Sequence, residues 1–424
     1  MESLVLHFDS IEIGTIGNSS RLQPRIMGLI PRPTPIDATV RFDGGLTLKA
    51  QQPDRGLAVI GRVSMPELFV AANQDLALNM TVVFDVDHPE AFGRAARNFV
   101  TADDLEWYGE GLLDVKAYIL GFIPISVPGI PFGKFISLKG MGGFSQKTNP
   151  ITMTGIKSAT GSPGALSLVL SVQLHNPSFM AGTVAAPLQL NITQRGQQFG
   201  VATLDRIHFE TGVNEVPLKF VLQDTPQNSA AVRAFLLSYI RADKLQLVSM
   251  RGTAASTTDP FLREIVDGLD LQFNFRAPPT QFIQEIEASV GLTGINAVAR
   301  ILNPLPQDII MGDLDLSIRE NSVDGEEVFG LDTRKSMTRI PGQVLKPSQS
   351  SDLNIKLSLI DAHLSNFALL RRLIAAARSG RIVVGVKGPI TITIAPSFEV
   401  TVDYIASNIT ASITCPLICP NRGS

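Results

Sequence analysis

The residues best suited to acid–base or metal chemistry are five histidines, His7, His88, His175, His208 and His363, scattered along the whole chain. A metal ligand or a general base needs partners close by, and no His-Glu-x-x-His helix supplies them. His88 and His363 flank helical patterns and His175 ends a strand pattern. They read more simply as capping or surface residues. Two acidic pairs, Asp85 with Asp87 and Asp313 with Asp315, alternate so that both carboxylates of a pair share one strand face. Calcium takes about six or more oxygens, so solvated strand faces explain these pairs better. The stretch PGIPFGKF, residues 128–135, has the Gly-Lys step of a phosphate loop. It lacks the first glycine, and Phe135 stands where magnesium needs a hydroxyl. No Gly-x-Ser-x-Gly elbow is present. With no catalytic set and no motif for a metal or cofactor, the chain reads as a non-enzyme.

Some residues bear on modification and contact. Asn18, Asn79, Asn191 and Asn408 each begin an Asn-x-Ser/Thr sequon, a candidate N-glycosylation site. In LNMTVVF the apolar residues are Leu78, Met80 and Val82, so Asn79 and Thr81 are expected to face outward. In LQLNIT, Asn191 and Thr193 are expected outward for the same reason. The alternation around Asn408 gives no clear direction. Cys415 and Cys419, the only cysteines, could form a local disulfide in an oxidising compartment or remain two thiols. The lone Trp107 reads as core or as a domain contact, with ligand stacking as the alternative. Arg371, Arg372 and Arg378 border LLRRLIAAA, the solvated face of an amphipathic helix or a basic face for a membrane.

The elements that hold these residues repeat. Leu78, Val216 and Leu353 each open an alternating strand and lie 138 and 137 residues apart. A helical pattern follows each strand: HPEAFGRAARNFVTADD, PQNSAAVRAFLLSYIRAD and DAHLSNFALLRRLIAAARSG. Another apolar strand then ends near Gly111, Gly252 or Gly388. Upstream, a glycine after an apolar pair recurs at Gly61, Gly200 and Gly330. Asn176-Pro177 and Asn303-Pro304 each end a strand, since proline cannot donate to a ladder. The first copy lacks this pair and is divergent. The spacing predicts repeats at 1–144, 145–278 and 279–415, with a tail at 416–424. The prediction is a mainly β chain of three tandem β-sandwiches, each with one α-helix.

Bulk properties agree. Of 424 residues, 44% are hydrophobic and 18% charged, enough apolar material for several cores. The net charge of −3 and the absence of a basic cluster argue against nucleic acid as a partner. The most apolar stretch, 117–133, is broken by prolines and glycines and reads as strand and turn. The start of the chain alternates like a strand, so any targeting or anchoring segment is expected outside this sequence.

The strand ending in Asn176-Pro177-Ser178, the strand APLQLNITQRGQQFGVATL and the helix VRAFLLSYI resemble the late-embryogenesis-abundant (water stress and hypersensitive response) domain. The tandem arrangement is similar to a fungal family of uncharacterised proteins. That resemblance implies fibronectin-III/Ig-like sandwiches on the lumenal side of the vacuolar membrane, without catalytic residues. The expected role is a stalk or interaction surface for a protein or membrane-surface partner. The alternative expectation is a carrier of lipid or another apolar ligand.

Overall fold

The computed structural model describes residues 7–16, 20–31, 34–52, 56–119, 123–144, 151–241, 246–275, 280–291, 293–325, 327–335, 341–358, 371, 375 and 380–414. The third helical pattern, His363, Asn18, Cys415 and Cys419 lie outside the described residues. The chain is mainly β.

The first unit holds β1 (His7–Ile16), β2 (Arg21–Leu22), β3 (Arg25–Ile30), β4 (Ala38–Gln52), β5 (Gly56–Ser64), β6 (Leu68–Val70), β7 (Leu76–Thr81) and β8 (Val83–Asp85). Helix α1 (Pro89–Thr101) and the long hairpin β9 (Asp104–Ile119) and β10 (Ile123–Lys139) complete it. The second unit holds β11 (Thr152–Ser162), β12 (Ala165–Asn176), β13 (Met180–Val184), β14 (Leu188–Gln194), β15 (Gln197–Leu204), β16 (Ile207–Phe209) and β17 (Gly212–Gln223). Then come α2 (Ser229–Ile240), β18 (Gln246–Arg251), α3 (Pro260–Val266) and β19 (Asp270–Phe275). The third unit holds β20 (Ile283–Val290), β21 (Gly294–Leu302), β22 (Ile309–Glu320), β23 (Glu327–Asp332), β24 (Val344–Leu345), β25 (Ser350–Ser358), β26 (Arg381–Ile394) and β27 (Phe398–Thr414).

One pairing scheme recurs. The hairpin partners β4–β5, β14–β15 and β22–β23 correspond, and so do β4–β9, β14–β18 and β22–β26. Beyond them, β9–β10, β18–β19 and β26–β27 are again antiparallel. The alternating strands opened by Leu78, Val216 and Leu353 pair with β3, β12 and β21. The ladder slips beside Gly61 and Gly200, as a β-bulge requires, while in the third unit the slip falls at Val328, two residues before Gly330. A Cβ on Gly61 would lie 2.4 Å from the Asp85 carbonyl oxygen and 2.7 Å from the Phe84 ring. One on Gly200 would lie 2.6 Å from the Val221 oxygen and 2.8 Å from the Phe220 ring. Glycine is what lets each aromatic ring lie across the neighbouring strand.

The units close differently. In the second, β11 meets β19 in parallel through Thr152 and Asn274, and seven strands form a barrel. In the third, β20 runs parallel to β27 over residues 285–289. In the first, β1 pairs in parallel not with β10 but with β13 of the second unit. A composite sheet β16–β13–β1–β3–β7 joins the two units, and the outer edge of β10 is unpaired among the described residues.

Each described long helix buries one face. In α2, Val232, Phe235, Leu236, Tyr239 and Ile240 are buried, and Phe235 packs against Phe199, Phe220 and Phe275. One helix per unit is a correction for the second unit, where α3 follows α2. Asp259 caps α3, its carboxylate accepting from the amides of Phe261 and Leu262, and Pro260 takes the first helical position.

Asn176 and Asn303 do the same work in two units. Both are fully buried. Asn176 Nδ2 donates to the carbonyls of Met180 (2.8 Å) and Glu210 (3.1 Å), and its Oδ1 accepts from the Ser178 amide. Asn303 Nδ2 donates to Gln307 (2.8 Å) and Leu345 (2.9 Å), and its Oδ1 accepts from the Leu305 amide. A buried carboxamide used three ways leaves three backbone groups stranded if removed. Asn303→Ala is expected to cost about 3 kcal/mol in urea denaturation. A loss below about 1 kcal/mol would contradict this role.

Tyr239 ties the second unit to the third, donating to the Pro304 carbonyl oxygen at 3.3 Å. Burial pushes its phenol up to about 12. The folded state therefore holds this proton after the unfolded chain, near pH 10, has lost it. The stability is fully present below about pH 10 and is lost as pH rises towards 12. Tyr239→Phe is expected to remove up to about 2.5 kcal/mol of that alkaline loss, as denaturation at pH 9 and pH 11.5 will read.

Candidate functional site

The structure disperses most residues with chemical potential. His88 sits at the N-cap of α1 with no side-chain bond to the helix. Arg21 reaches Asp85 at 3.3 Å, Arg62 lies 3.9 Å from Asp87 and Arg334 lies 2.8 Å from Asp315. Arginines answer these carboxylates, and no group of three or more His, Cys, Asp or Glu gathers among the described residues. Glu215 is held below the usual carboxylate range by a hydrogen bond from Ser171 and then by Lys157.

One trio has the order of nucleophile, base and acid. Thr183 Oγ1 lies 2.9 Å from His208 Nδ1, and His208 Nε2 lies 3.2 Å from Glu210 Oε1. The side chains of His208 and Glu210 are mostly exposed. Hydrolysis needs a site where water is managed and an oxyanion is held. His208 and Glu210 are open to solvent instead, Thr183 is buried, and Val184, Ile207 and Phe209 beside them line the cavity on the other face.

The sequon residues take three forms. Asn79 is exposed and accepts from Arg25 Nε and Nη2. Asn408 is exposed with φ of 62°, beside the slip between Val384 and Val386. That bulge is why its alternation is unreadable. The outward expectation for Thr193 needs correction: it is buried. It follows the slip between Ile192 and Thr193 and lies on β14, flanked by β15 and β18.

The concave feature that stands out lies between the first two units. A cavity of about 280 Å³ is lined entirely by apolar residues, from α1, β9 and the composite sheet to the inside of the barrel. Phe92 and Ala96 of α1, Trp107 of β9, Ile11 of β1, Met180 of β13 and Leu218 of β17 represent its walls. Helices α1 and α3 meet beside it. Phe92 stacks on Phe261 with centroids 5.2 Å apart. A Cβ on Gly93 would lie 2.3 Å from the Glu264 Cβ, so only glycine permits this approach. Arg97 donates to the Glu264 and Ile265 carbonyls at the end of α3, where a cation also suits the helix dipole.

Among the described residues no charged side chain lines this space. It suits hydrocarbon and would remain dry if empty. Sequence reading missed it because its walls are ordinary core residues. Its helical neighbour was legible in Thr258-Asp259-Pro260, a cap-and-proline helix start.

Residues 58–184, under a third of the chain, match the model of a family described as a protein of unknown function (DUF3712). The match runs from β5 to β13 and so includes one strand of the β1–β13 pairing. No curated protein matches the sequence. Among solved structures, the chain is similar to one titled "Biofilm associated protein - BSP domain", at 9% identity and a TM-score of 0.17, covering 97% of this chain and 67% of that one. A second, "The Bacillus anthracis TIE protein", gives 7% identity and a TM-score of 0.11, covering 98% and 74%. At these scores neither likeness bears on fold or role.

Proposed function

We propose that the chain is a non-enzymatic binding protein that holds a small apolar molecule between its first two units. The carrying observation is the cavity of about 280 Å³ with no charged or hydroxyl-bearing wall. Ligand sites begin at roughly 300 Å³ and are mainly apolar, so the space suits a short acyl or isoprenoid segment. Filling it with protein should exclude such a guest. Ala96→Phe is expected to weaken binding of the neutral fluorophore N-phenyl-1-naphthylamine at least about tenfold. Absence of binding to the native chain, or equal binding by the variant, would contradict the proposal.

A second reading concerns the outer surface. We propose that the three units are copies of one late-embryogenesis-abundant type β module, closed as a barrel in the second unit, presented on the lumenal side of a membrane as an interaction surface. The recurring pairing scheme and the shared Asn176 and Asn303 networks support the copying. The β10 edge, unpaired among the described residues and with Val127 and Phe135 exposed, supports an interaction surface. Exposed Asn79 and Asn408 support a compartment where glycans are added. Glycosidase treatment of protein from its native source is expected to lower its mass by at least one glycan. An unchanged mass would contradict the lumenal assignment.

A further inference from the structure

Among the described residues the exposed large apolar side chains are concentrated in one place. Seven of the fourteen lie on β6, β9 and β10, where scattered exposure would need no explanation but a cluster does. Strands β6, β4, β9 and β10 are neighbours in one sheet. Residues directly opposed across a ladder share a face. Leu68, Val40, Val115 and Val127 therefore form one row across the sheet, and Val70, Ala38, Ala117 and Ile125 form the next. Ile123 continues this apolar face towards the hairpin tip. Ile123, Ile125 and Val127 are 45%, 44% and 47% exposed. On the opposite face Phe69, Thr39, Lys116 and Ser126 form a row, and Phe69 is exposed there too.

These features say what covers this end of the sheet. A protein partner covers one face or adds a strand to the edge. One docked face would leave the apolar residues of the other in water. Strand addition over the distal half of β10 meets prolines. Pro124 and Pro131 stand in the ladder opposite Tyr118 and Leu112, and Pro128 lies in the bulge between Val127 and Ile130. A proline in an edge strand turns its donor-less nitrogen to the open side. Fewer donors on that side also lower the cost of placing an unpaired edge against hydrocarbon. The charges point the same way. Residues 115–127 include one charged residue, Lys116, and no acid. Asp114, the next residue back, is answered by Arg41 and by the Gly129 amide. Lys116 Nζ lies 5.6 Å from the centroid of the Tyr118 ring, and tyrosine and lysine suit the level of lipid headgroups.

We infer that the distal end of this sheet docks on a lipid bilayer, with Ile123, Ile125 and Val127 entering the acyl boundary and Lys116 and Tyr118 at the headgroups. The four-residue step from Val127 to Ile123 spans about 13 Å of strand, enough when tilted for the roughly 5–10 Å that interfacial elements bury. With one cation, the contact is hydrophobic and zwitterionic lipid suffices. The inference rests on reading β10 as an interaction surface and is independent of the cavity and of glycans.

Flotation of the full chain with phosphatidylcholine vesicles tests it, alongside sedimentation velocity without lipid. The chain is expected to float with the vesicles, and to do so within about twofold between about 0.05 M and 0.5 M salt. Ile125→Asp with Val127→Asp is expected to weaken binding at least about tenfold. A second readout keeps the test valid if that variant folds poorly. With Cys415→Ser and Cys419→Ser, an environment-sensitive fluorophore on Ser126→Cys is expected to shift to shorter wavelength with vesicles. The same label on Val213→Cys, exposed on β17, is expected not to shift. Equal vesicle binding by the double variant, a shift from both labels, or binding abolished by salt would overturn the inference. If the chain ignores vesicles but forms a dimer that the double variant dissolves, the bilayer is overturned and the interaction surface stands. A monomer that ignores vesicles overturns both.

Discussion

A strand entering a sheet must satisfy the backbone groups along both of its edges, and β1 does so by borrowing from another unit. The second and third units pair their first strand with their own last strand, β11 with β19 and β20 with β27. The first unit pairs β1 with β13 instead. Two consequences follow. Among the described residues the outer edge of β10 has no partner, and its residues are largely exposed. The apolar faces of the first unit are covered by the second, and the cavity lies where the two cores meet.

Asn176 is part of the same arrangement. Its carboxamide holds the Met180 carbonyl, and Met180 opens β13 opposite Ile11 of β1. A residue that ends one strand thus fixes where the borrowed strand begins. Asn303 has the same bonds to its own chain, but the strand after it stays within its unit. The α1–α3 contact then locks the pair of units from the helical side, through Gly93, Arg97 and the Phe92–Phe261 stack.

Much of this was legible in local pattern. Two-residue alternation located the strands at Leu78, Val216 and Leu353, because a half-buried strand writes its buried face into every second residue. Proline and apolar periodicity located α1 and α2. Gly61 and Gly200 marked bulges where a side chain would meet the neighbouring strand. What escaped was non-local. Nothing in residues 7–16 says that β1 pairs with a strand some 170 residues away. The inward turn of Thr193 depends on a ladder slip, which breaks the alternation used to predict it. The cavity walls are Ile, Leu, Val and Phe, which a sequence spends equally on solid core. Trp107 alone carried a signal, and it was ambiguous between core, contact and ligand.

The account makes the meeting of two cores a place that something occupies. Native mass spectrometry of the protein from its own source, run before and after organic extraction, tests this most directly. The account predicts an adduct of one small neutral molecule per chain, removed by extraction and absent from Ala96→Phe. A mass unchanged by extraction, matching the chain and its glycans alone, would contradict it.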